Sequence, residues 1–137
     1  MIQEGAILIP FRYAAGQAGS RFLVALRDEM RVLGSRCRQC GRVAVPIRPF
    51  CPACGRDDLV DTEVGPLGTL VSWTETPDQR CYALVRLDGS DTPLLHRLLP
   101  ASGGRTTGQR VRLRFADSRS GSILDIEGFE PMTGGQP

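Results

Sequence analysis

The chain has 137 residues, 17 of them basic and 15 acidic, and every basic residue is an arginine. The lack of lysine excludes Schiff-base chemistry, and the single histidine, His96, leaves few acid–base options within the chain. No apolar stretch approaches the length of a membrane span. The start, with Glu4 and a short apolar run from Ala6 to Ile9, does not read as a secretory signal peptide, so a cytoplasmic protein with reduced thiols is expected.

Residues 1–34 read as an N-terminal arm followed by a helix. The arm carries Phe11 and Tyr13 and passes into the small residues of Ala14 to Gly19. Ser20 can cap a helix in which Phe22, Leu26, Met30 and Leu33 fall on one face at i, i+4, i+8 and i+11. Gly34 is the expected stop. An amphipathic pattern alone does not say whose surface the helix covers. Arm and helix both precede the rest of the fold, so Phe11, Tyr13, Phe22, Leu26 and Met30 are expected to meet a partner. The alternative is a helix packed on the chain's own barrel.

Residues 35–64 hold the strongest chemical signal. Cys37-Arg38-Gln39-Cys40 and Cys51-Pro52-Ala53-Cys54 give C-x2-C, ten residues, C-x2-C. Two such corners present four thiolates to one point and complete a tetrahedral zinc shell with no position open for substrate. Gly41 and Gly55 follow each pair, where a tight turn favours positive φ. Pro46 and Pro49 make the intervening run extended. One structural zinc ion on Cys37, Cys40, Cys51 and Cys54 is expected. The alternatives are rubredoxin-like iron on the same ligands, or two disulfides. Four thiolates around one zinc ion carry −2, which brings the loaded chain close to neutral and weighs against a nucleic-acid binder.

From Gly65-Pro66-Leu67-Gly68 onward the periodicity becomes two. Strands are expected at 69–76, 82–87, 94–99, 110–115 and 123–129. Five short strands between turn signals, over residues 65–132, fit an OB-type barrel. A flexible tail is expected at 133–137. Cys81 reads as a small buried hydrophobe, and His96, alternating with Leu94 and Leu98, as a core or rim histidine. Arg110, Arg112 and Arg114 share a strand face. That face is either simply solvated, or contacts an anion or a partner protein. The barrel aromatics Trp73, Tyr82 and Phe115 do not fall clearly on one surface, as base stacking would need.

The order of these features resembles the zinc-ribbon/OB-fold proteins associated with acyl-CoA enzymes. The resemblance rests on Ser20-Arg21-Phe22, Leu33-Gly34-Ser35-Arg36-Cys37, Cys40-Gly41, Pro46-Ile47-Arg48, Cys51-Pro52 and Cys54. It continues through Gly68-Thr69, Tyr82 to Gly89, Leu94-Leu95-His96, Gly108 with Val111, and Phe129 with Pro131. Cys81 stands where the family usually has proline, and Ile47 where a second proline is common. The fold the resemblance implies is mainly β: an N-terminal helix, a rubredoxin-like zinc ribbon and a five-stranded OB-type barrel. The function it implies is a non-catalytic accessory subunit of a thiolase-like or aldolase-type acyl-CoA enzyme. Such a subunit stabilises its partner, meets acyl-CoA only through the complex and can help form the CoA-ester site. The alternative is a nucleic-acid-binding module of the same architecture.

Overall fold

The computed structural model describes residues 1–133, so the expected tail lies outside them but for Thr133. The first fifteen residues have no regular secondary structure and bury nothing. Phe11 and Tyr13 are each 78% exposed and stack only on one another, with ring centroids 6.1 Å apart.

Helix α1 spans Gly16–Val24 and widens into a single π turn over Ala25–Glu29, closed by the Arg31 N–H donating to the Ala25 carbonyl at 3.2 Å. Met30 then takes a left-handed conformation (φ 49°) and the helix ends. This corrects the expected span. Ser20 lies inside the helix and caps nothing, and Leu33 is not helical at all. The residues after Met30 form β1 (Val32–Cys37), whose competing claim is six paired residues along β3 (Leu59–Val64). Gly34 is therefore a strand glycine. A Cβ there would sit 2.8 Å from the Ala44 carbonyl oxygen, so the close approach of β2 (Val43–Ala44) requires glycine.

β2, β1 and β3 form a three-stranded antiparallel sheet in that order. The second sheet contains β4 (Leu67–Glu75), β5 (Cys81–Leu87), β6 (Leu94–Arg97), β7 (Arg110–Phe115) and β8 (Ile126–Pro131). Its order is β6-β5-β4-β7-β8, all antiparallel. The outer strands meet through a parallel bridge between Leu98 and Phe129, where the Leu99 N–H donates to the Phe129 carbonyl at 2.8 Å, so the sheet curls round on itself. The five expected strands are present. The last starts three residues late because Ile123–Asp125 is a 3₁₀ turn, capped by Ser122, whose hydroxyl accepts from the Leu124 N–H.

One apolar core runs through both sheets and the helix. Phe22, Leu26, Val32, Val45 and Val64 pack in the same cluster as Leu70, Val85, Val111 and Phe129. Polar contacts fix the ribbon to the barrel. Asp91 accepts from the Val43 N–H at 2.8 Å, Thr92 Oγ1 accepts from the Val45 N–H at 2.9 Å, and the Asp91 N–H donates to the Val43 carbonyl.

Candidate metal centre

The metal site is built from two copies of one turn. In the first, the Cys37 N–H donates to the Arg42 carbonyl at 2.9 Å and the Gly41 N–H to the Cys37 carbonyl at 2.8 Å. In the second, the Cys51 N–H donates to the Arg56 carbonyl at 2.7 Å and the Gly55 N–H to the Cys51 carbonyl at 2.9 Å. Gly41 (φ 74°) and Gly55 (φ 76°) supply the left-handed residue each turn needs. β1 delivers Cys37 to the site, and Cys37 and Cys51 are buried while Cys40 and Cys54 face outward.

The four sulfurs lie within 4.8 Å of one another, with Cys37–Cys54 and Cys40–Cys51 both at 3.6 Å. A tetrahedral zinc ion with Zn–S bonds of about 2.3 Å places its sulfurs roughly 3.8 Å apart, so the sulfurs are set for that shell. Backbone donors favour the thiolate at the two buried cysteines, while at Cys40 and Cys54 the backbone donor is outweighed by burial and the neighbouring sulfurs, which push the thiol up, Cys54 to about 11. The Cys54 N–H, seconded by that of Ala53 and opposed by burial, holds the Cys51 thiol down at about 6. The Cys40 N–H lowers Cys37 in the same way. All five cysteines are free of disulfides. Four thiolates leave no open position, so the ion's role is structural.

The remaining candidate residues divide. Phe22 and Leu26, expected at a partner interface, are 3% and 0% exposed and belong to the chain's own core. That part of the expected interface is corrected. Their spacing does define an apolar face, but the chain's own core covers it. Met30 is 53% exposed and, with Phe11 and Tyr13, remains on the surface. Arg110 is paired with Asp88 and also donates to Thr69 Oγ1. Arg114 is paired with Glu127 at 2.7 Å and Glu130 at 3.5 Å. Among the described residues only Arg112 of the three forms no ion pair, so the shared face is largely neutralised by its own neighbours.

Cys81 is buried at the start of β5, as a small hydrophobe. His96 Nε2 lies 3.1 Å from the Ile123 carbonyl oxygen, which that nitrogen can meet only by donating. Its Nδ1 is buried without a partner, and burial pushes its pKa below the ordinary histidine value. A neutral, tethered imidazole is the result. Sequence reasoning missed Asp91 and Thr92, which position the ribbon; their only signal was a polar cluster after the Asp88-Gly89 turn.

Comparison with known proteins agrees with this picture. Residues 25–60 match the ChsH2 rubredoxin-like zinc ribbon domain. A DUF35 domain-containing scaffold protein of Pyrococcus furiosus is 31% identical over 55 residues, a match covering 40% of this chain and 40% of that protein. Among solved structures, a chain of the Ltp2-ChsH2(DUF35) aldolase superposes with a TM-score of 0.65 at 23% identity, over 88% of this chain and 98% of that one. A DUF35-family protein of unknown function from Sulfolobus solfataricus gives 0.63 at 21% identity, over 85% and 84%. At these identities the two structures establish the fold. The ribbon match assigns the four thiolates to zinc and not to iron.

Proposed function

We propose that this chain, whose residues 25–60 match the ChsH2 rubredoxin-like zinc ribbon domain and whose fold is that of the DUF35 structures, is a non-catalytic accessory subunit of an acyl-CoA enzyme. The observation that carries the reading is the near-complete overlap with a chain of the Ltp2-ChsH2(DUF35) aldolase, supported by the scaffold protein from Pyrococcus. That overlap favours an aldolase-type carbon–carbon lyase as partner over a thiolase. The strand order and the parallel closing bridge support reading the second sheet as an OB-type barrel.

The chemistry of this chain is consistent with an accessory role. Its zinc is enclosed by four thiolates, its histidine is neutral and tethered, and Cys81 is buried. A nucleophile needs an accessible thiol with a base in reach. The exposed arm, with Phe11 and Tyr13, and the exposed Met30 are the remaining candidates for the partner contact. An apolar segment left entirely in water is a liability that a partner removes.

The test is kinetic. The purified chain is expected to leave 3-oxoacyl-CoA and 3-hydroxyacyl-CoA esters unchanged, while adding it to an aldolase or thiolase encoded beside it restores or raises that enzyme's turnover. Turnover by the chain alone, lost in Cys81→Ala, would overturn the reading. Salt-dependent oligonucleotide binding with no effect on any such enzyme would favour a nucleic-acid module instead.

A further inference from the structure

The outer face of β5 and β6 is apolar and open. The cross-strand pairs Tyr82–Arg97 and Leu84–Leu95 put these four side chains on one side of the sheet, while Ala83, Val85 and Leu94 belong to the core. Leu95 is 61% exposed, and Leu124, from the turn before β8, is 69% exposed. Two hollows lie side by side here and share Tyr82 and Leu95. One, of about 250 Å³, is walled by Ile123 and Leu124; the other, of about 150 Å³, by Trp73 and Leu84. Together they make a groove across β4, β5 and β6. On the OB-type reading of the barrel, this is the strand face and loop that such folds use for binding. Base stacking does not suit it. The Arg105 guanidinium lies over the Trp73 ring, 5.5 Å from its centroid, and the larger hollow is walled by leucine and isoleucine.

The chain itself carries a segment of matching form. Ile7, Ile9, Phe11 and Tyr13 alternate along the arm, and in an extended chain alternate side chains share one side. Pro10 fixes its own φ and keeps Ile9 extended. The stacked rings of Phe11 and Tyr13 lie on one side, as that alternation requires. Neighbours along such a stripe are about 6.6 Å apart, so two of them can fill two adjacent hollows. The stripe has nothing behind it: Ile9, the most covered of the four, is still 72% exposed. The arm does not turn back over its own chain's groove, and both are left in water.

We infer that the groove on β5 and β6 seats the arm of a second copy of this chain, so that the free protein is an arm-exchanged dimer. Reciprocal exchange is isologous and closes at two copies. The area suffices. Phe11 and Tyr13 can each bury roughly 150 Å². With Ile7, Ile9 and the groove surface they cover, two exchanged arms bury on the order of 1,600 Å², the size of a standard specific interface. The arm cannot serve a second copy and the enzyme at once, so the dimer is the state of the free chain.

The experiment is sedimentation velocity on the zinc-loaded full chain between roughly 1 and 100 µM, with Trp73, the sole tryptophan, as a fluorescent reporter in the groove. The expected result is a monomer–dimer equilibrium in wild type, weakened about tenfold or more both in Ile9→Asp/Phe11→Asp and in Leu95→Asp. Zinc content and circular dichroism check that each variant folds; Leu124→Asp takes the place of Leu95→Asp if that one does not. Mixing the arm variant with the groove variant should restore a dimer, since one keeps its groove and the other its arm. A peptide of residues 4–14 added to the arm variant should shift Trp73 emission. A wild type that stays monomeric throughout would overturn the inference. If its Trp73 emission still changes in the arm variant, the occupant is the chain's own arm; if Leu95→Asp no longer captures the enzyme, the groove belongs to that enzyme. A dimer that the arm variant breaks and both groove variants leave intact would also overturn it, marking contact between arms.

Discussion

Removing one thiolate opens the metal shell and frees the two metal turns, while β1 stays paired along β3 and Val43, Val45 and Ile47 stay in the shared core. Cys51→Ser is expected to lose zinc and to disorder the two metal turns at residues 37–42 and 51–56, since structural zinc supplies an apparent energy of about 10–16 kcal/mol in small zinc domains. Elemental analysis and loss of amide protection confined to the ribbon check this; a variant retaining stoichiometric zinc would contradict it. Asp125 is the second decisive residue. It is buried, and its carboxylate accepts from the backbone N–H groups of Ser120 (2.8 Å), Gly121 (2.7 Å) and Ser122 (3.3 Å). Burial alone would raise its pKa; the three donors outweigh burial and hold it below the usual carboxylate value. A depressed folded-state pKa contributes stability that is complete above the unfolded value of about 3.9 and is lost as pH falls through the folded one. Asp125→Ala is expected to cost about 1–3 kcal/mol at neutral pH by leaving those donors unpaired, and the deficit should shrink in acid. A pH-independent difference in urea midpoints would contradict this. The metal ligands were legible because Cys-x-x-Cys spacing is itself a coordination geometry. Asp125 was not, because three backbone donors converge on it only after the Ser120–Ser122 turn has formed.

Among the elements, the first helix is the instructive one. Its apolar spacing is real, yet Phe22 and Leu26 point into the core shared by ribbon and barrel. Burial of each side chain is worth about 1.5–3 kcal/mol, so Leu26→Ala, with its added cavity, should destabilise the whole chain by about 2–5 kcal/mol. A chemical denaturation midpoint unchanged within error would put the helix outside the core. Periodicity could not show this, since it identifies a face and not what covers it. Nor could it show that Leu33 pairs in a strand, because β1 is specified by β3, some 30 residues away. The barrel strands were readable since each carries its own alternation and turn signals. The contact between ribbon and barrel is also long-range. Asp91→Ala removes an acceptor of the Val43 N–H and is expected to raise hydrogen exchange at Val43 at least tenfold, the equivalent of a lost hydrogen bond of about 1.4 kcal/mol. Equal protection in variant and wild type would mean that Thr92 and apolar packing suffice.

At the scale of the molecule, the fold closes one core and leaves the arm exposed, with Phe11 and Tyr13 stacked only on one another among the described residues. Deleting residues 1–14 should leave zinc content and thermal stability unchanged, because the arm buries nothing on its own chain, and should weaken capture of the partner. The general architecture was legible in advance through the cysteine spacing and the strand pattern. If this chain works as one component of an acyl-CoA enzyme, native mass spectrometry after co-expression with its genomic neighbours will detect the assembly. The predicted result is a hetero-oligomer of defined stoichiometry, containing one zinc per copy of this chain and an aldolase-type or thiolase-type subunit. A zinc-loaded chain that emerges alone, at a concentration where those neighbours are soluble and folded, would mean that it is not a subunit of any of them.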